Sequence, residues 1–78
     1  MSLINNFRLV QETKEMPPYL NQIEDIEGME IYHSEFNTDI YVIFNEKIGI
    51  YRSIEYISSD INVIKKLKIY VKVYLSEI

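Results

Sequence analysis

The sequence predicts a small α+β domain: short N-terminal helices, a three-stranded antiparallel β-meander, and a C-terminal amphipathic helix packed on the sheet. Three observations carry this. Residues 59–78, SDINVIKKLKIYVKVYLSEI, put Ile61, Val63, Ile64, Leu67, Tyr70, Val71, Tyr74, Leu75 and Ile78 in one half of a helical wheel. Asn62, Lys65, Lys66, Lys72, Ser76 and Glu77 fall in the other half. Residues 29–57 change to the period of two that strands require, broken by short polar turns. Finally, 78 residues without a cysteine suffice for one domain, 1–78, with one small core.

The C-terminal segment also fits a strand, because Leu67, Ile69, Val71, Val73 and Leu75 alternate with Lys68, Tyr70, Lys72 and Tyr74. Length favours the helix. The helical pattern reaches back through Ile64 and Ile61 to the cap-like Ser58-Ser59-Asp60, which a strand leaves unexplained. A helix leaves Ile69 and Val73 on its polar side, as candidate contacts for a partner.

At the other end, Leu3, Phe7 and Val10 recur at helical spacing, so residues 2–13 are expected to form a short helix that stops at Pro17-Pro18. Tyr19, Leu20, Ile23 and Ile26 suggest a second helix, opened by proline and closed by Gly28. The meander follows. Met29, Ile31 and His33 share one face, and Glu30, Tyr32 and Ser34 the other. Ile40–Phe44 is an unbroken apolar run that suits a central strand, and residues 48–57 alternate again, with Gly49 a candidate bulge.

The composition is skewed. Fourteen isoleucines, seven tyrosines, six asparagines and six lysines stand against no alanine, which points to an A/T-rich genome such as that of a low-GC bacterium or its phage. It also leaves the chain with weak intrinsic helix propensity. The net charge of −4 hides two halves of opposite sign. Residues 9–46 hold nine carboxylates and Lys14 alone, whereas residues 47–78 hold six basic and three acidic side chains.

Chemistry is sparsely provided for. His33 is the single histidine, there is no thiol, and Gly28 and Gly49 are the two glycines, so a zinc site, a cysteine nucleophile and a phosphate loop are all excluded. No enzyme activity and no cofactor is expected. No apolar run is long enough to span a membrane, and the absence of cysteine suits a reducing cytoplasm.

Protein binding is what these features leave. The chain is expected to be a small acidic module, a phage or mobile-element inhibitor, that engages a basic, nucleic-acid-binding surface of a host protein. In size and charge it is similar to small phage inhibitors of host nucleases, a likeness of class without a motif behind it. The expected contact residues are Glu24, Asp25, Glu27, Glu30, Tyr32, Glu35 and Asp39. Two alternatives stand beside this: a homo-oligomeric structural or accessory subunit, and a nucleic-acid binder using the lysine stripe Lys65, Lys66, Lys68 and Lys72.

Overall fold

The computed structural model describes residues 6–76. Five strands form one antiparallel sheet: β1 (Phe7–Thr13), β2 (Leu20–Ile26), β3 (Met29–Ser34), β4 (Ile40–Asn45) and β5 (Ile50–Tyr56). A single helix, α1 (Val63–Ser76), follows. The strand order is β1-β5-β4-β3-β2, so the two N-terminal strands are the two edges.

This corrects the expected architecture. There are no N-terminal helices among the described residues, and the meander of three strands is the centre of a sheet of five. Residues 2–5 of the expected first helix, and residues 77–78 of the last, lie outside the described residues.

A single physical cause accounts for both misread helices. Each edge strand carries a bulge: Leu9 pairs with Ile54 and Gln11 with Ser53, leaving Val10 as an extra residue, and Gln22 and Glu24 bracket Ile23 against Tyr32 and Ile31. One extra residue stretches a spacing of two into three. The extra residues Val10 and Ile23 are themselves apolar and fall three positions from Phe7, Leu20 and Ile26, the interval of a helix, although Leu20 and Ile26 face opposite sides of the sheet. Gly28 misleads for a related reason. It closes no helix but forms, with Glu27, the two-residue hairpin turn between β2 and β3, at φ of +52° and +83°. A helix C-terminus and a type I′ turn both require a left-handed residue, so one glycine satisfies either pattern. Gly49 is likewise no bulge: at φ +68° it donates its N–H to the Asn45 carbonyl at 2.8 Å inside the β4–β5 turn.

The helix is where expected but shorter, beginning at Val63 instead of Ser59. Asn62 opens it, its carbonyl accepting the Lys66 N–H at 3.2 Å. The preceding loop is tied by Asp60 N–H to Ser58 Oγ at 3.1 Å and by Asn62 N–H to Asp60 Oδ1 at 2.8 Å. That second bond, first among its causes, holds the Asp60 carboxyl below its ordinary pKa.

Leu67, Tyr70, Val71 and Tyr74 drop from α1 into one buried cluster with Phe7, Ile26, Met29, Ile31, Tyr41, Ile43 and Ile54. Phe7 packs its ring against Tyr56 and Tyr70, with centroids 5.1 and 5.2 Å apart. Arg52 lies at the margin of this face, its guanidinium 3.6 Å from the centre of the Tyr74 ring and 3.2 Å from Glu12. Ile69 and Val73, placed on the polar side by the sequence, are half-buried.

Lys14–Tyr19 connects opposite edges. Thr13 pairs with Tyr51 at one end of the sheet, and Leu20 with Ser34 at the other. Crossing four strand spacings takes about 19 Å, and the offset along the strands adds about 13 Å at right angles. Seven chain steps reach about 25 Å, which leaves no slack for a detour over a helix about 10 Å thick. The connection therefore crosses the face opposite α1. Ile26 and Met29, which exchange both hydrogen bonds across their two-residue turn and face the helix, fix the hand, and on this route the crossover has the usual right-handed sense. Val42 and Ser53, at the middle of that far face, are only 1% and 7% exposed, as a strap over them requires.

Leu67→Ala is expected to destabilise the domain by about 2–5 kcal/mol in urea unfolding, whereas Lys65→Ala stays within about 0.5 kcal/mol. Glu27→Asn, which gives the hairpin its preferred Asn-Gly pair, is expected to raise stability by about 0.5–1 kcal/mol in the same assay.

Candidate interaction surface

Residues paired across an antiparallel sheet point to the same side, so the register assigns each expected contact residue to a face. Asp25, Glu30, Phe44, Tyr51 and Thr13 form one row across the face opposite α1. Gln22, Tyr32, Val42, Ser53 and Gln11 form the next. The strap runs diagonally from Thr13 towards Leu20, leaving two opposite corners of this face uncovered. One carries the Arg8–Glu55 pair; the other, the acidic corner, holds Asp25, Glu30, Tyr32, Phe44 and part of Tyr51.

Three of the seven expected residues therefore come together, and four do not. Glu24 pairs with Ile31 and so belongs to the helix side of the edge strand. Glu27 stands in the hairpin turn. Glu35 and Asp39 lie in the β3–β4 loop at the far end, where Glu35 N–H donates to the Tyr19 carbonyl at 2.9 Å and Asp39 N–H to Asn37 Oδ1 at 3.0 Å. Near that loop, burial pushes the Tyr41 hydroxyl above its ordinary pKa, with Asp39 a secondary cause.

Three further residues complete the corner. Phe44 and Tyr51 stack with centroids 4.2 Å apart at 22°. Glu46, in the turn after β4, approaches Glu30. Tyr51 was visible in the alternation of residues 48–57, but Phe44 was hidden because the run Ile40–Phe44 is apolar on both faces. Glu46 is a turn residue, which no periodicity places.

The electrostatics show how crowded the carboxylates are. Tyr32 donates its hydroxyl to Glu30, and this bond, ahead of burial and of the Glu30 charge, pushes the phenol up to about 12. A hydrogen bond with Glu30 and repulsion from it raise the Glu46 carboxyl above its ordinary value, with Asp25 contributing at longer range. None of the ion pairs among the described residues, Arg8 with Glu55, Arg52 with Glu12 and Lys66 with Asp60, involves Asp25, Glu30 or Glu46.

Elsewhere the surface offers less. His33 is half-buried, stacked on Tyr41 at 4.6 Å and bonded through Nε2 to the Thr38 carbonyl at 2.9 Å. No cavity indents the described surface, and no cluster of three metal-ligating side chains occurs among the described residues. Lys65, Lys68 and Lys72 line the exposed side of α1, on the opposite side of the molecule from the acidic corner. Lys66 pairs with Asp60 at 3.7 Å. No described helix is long and apolar enough to cross a membrane.

Comparison with protein-family models, curated proteins and solved structures finds no match for this chain.

In an ultraviolet titration, Tyr32 is expected to ionise near pH 12, identified by the loss of that step in Tyr32→Phe, and Glu30→Gln is expected to bring it back towards 10. Glu46 gives a stability test. Its raised pKa means that the folded state holds the proton more tightly than the unfolded chain does. Its repulsion with Glu30 therefore weakens the fold at neutral pH, and is relieved as the pH falls through a window just above the ordinary carboxylate range. Glu46→Gln is expected to melt above the wild type at pH 7, the gap closing on acidification through that window.

Proposed function

We propose that this chain is a small protein-binding module that offers its acidic, aromatic corner to a basic protein surface. The observation that carries the proposal is the convergence of Asp25, Glu30 and Glu46 beside Tyr32, Phe44 and Tyr51, with none of those carboxylates in an ion pair of the described residues. Aromatic side chains supply contact area that loses little entropy on binding, and carboxylates around them steer a cationic partner and set its register.

The reading favours a basic groove built for phosphates as the target, because closely spaced carboxylates present negative charge at short intervals as nucleic acid does. An inhibitor of a host nucleic-acid-handling protein, made by a phage or mobile element and acting in the cytoplasm, fits the charge, the small size and the A/T-rich composition. Direct nucleic-acid binding at this corner is disfavoured: the rings could stack on bases, but the carboxylates repel the backbone.

The test is capture from host lysate by the wild type and by a variant with Asp25→Lys, Glu30→Lys and Glu46→Lys. A control carries Glu35→Lys and Asp39→Lys at the far end. Basic nucleic-acid-binding proteins are expected on the wild type and the control, displaced by added DNA, and absent from the triple variant. Capture that survives reversal of all three corner carboxylates would refute the surface.

A further inference from the structure

We propose that the acidic corner is an arginine-selective docking surface, whose occupant is an arginine-bearing segment of another protein. This rests on the protein-binding reading above and adds to it the chemistry of the partner's cation.

The molecule already holds one arginine in this manner. Arg52 lays its guanidinium 3.6 Å from the Tyr74 ring centre while Nη2 donates to Glu12 at 3.2 Å, so a flat ring and a carboxylate share one planar cation. The corner repeats both halves of that arrangement without a cation. Phe44 and Tyr51, stacked at 4.2 Å, cover one face of each other, and the remaining face of Phe44 lies on the side of Glu30, its neighbour in the row. Glu46 stands close enough to Glu30 to raise its own proton affinity, which is the condition in which an incoming cation is most welcome. Along β2, β3, β4 and β5, no residue on this face is a lysine or arginine.

Charge complementarity requires a cation, and the geometry distinguishes between the two kinds. A guanidinium is planar and weakly hydrated, stacks on aromatic faces and presents paired donors to carboxylates; an ammonium is a strongly hydrated point charge that gains mainly the Coulomb part. A second copy of this chain would have to give up an ion pair to supply the group, which makes it the poorer source. The sequence has two arginines, and both are engaged, Arg8 with Glu55 and Arg52 with Glu12 and Tyr74.

The experiment titrates the full chain, by calorimetry and by NMR of the aromatic side chains, with nine-residue peptides of arginine and of lysine at matched ionic strength. The arginine peptide is expected to bind roughly fivefold more tightly, the factor given by one exposed stacking contact, and to shift the Tyr32, Phe44 and Tyr51 ring signals. Phe44→Leu, checked for folding by circular dichroism, is expected to bring the two peptides to equal affinity. The double variant Glu30→Gln, Glu46→Gln is expected to weaken both peptides. Equal affinities for the wild type would overturn the arginine preference and leave the protein-binding reading standing. Ring signals unmoved by either peptide would overturn both. A preference undiminished in Phe44→Leu would also sink the proposal, since the stacking surface would then play no part.

Discussion

The sheet depends on the burial of Leu67, Tyr70, Val71 and Tyr74 in one cluster with Ile31, Ile43 and Ile54, because nothing else in so short a chain covers that face. Fully burying an aliphatic side chain contributes about 1.5–3 kcal/mol, and in a chain without cysteine to form a disulfide these contacts must offset most of the lost entropy. A helix of 14 residues is about 21 Å long and can shield one face only. The other face is left to the six residues Lys14–Tyr19. A strap covers a diagonal and not a plane, which is why Val42 is buried while Phe44 and Tyr51 beside it are only partly so.

The two sides of the molecule differ in charge for a related reason. The lysines of α1 alternate with core positions and are thereby fixed on its outer side, while the carboxylates Asp25 and Glu30 belong to the strands' other side. Arg52 is the exception that links the two chemistries. It sits in the helix-side row with Ile43, and Glu12 and Tyr74 are what make a cation tolerable at the edge of an apolar cluster.

The central strands and the helix were legible from the sequence because their periods are unbroken. The edge strands were not. Val10 and Ile23 each add a residue that turns alternation into helical spacing, and Gly28 then supplies a plausible helix end. A period is evidence of structure only where the ladder is regular. The candidate surface was half visible for the same reason: Glu30 and Tyr32 share a face by simple alternation, but Asp25 joins them only once β2 is a strand. Phe44 could not be assigned to a face until its partners Glu30 and Tyr51 were known.

The two bulges have a consequence for how this protein can assemble. An outermost strand with an inserted residue presents its free N–H and C=O groups out of step, so a further strand cannot zip onto it over any length. Both borders of the sheet are blunted in this way, at Val10 and at Ile23. In a chain so rich in isoleucine and tyrosine, borders blunted in this way work against the rim-to-rim pairing from which fibrils grow.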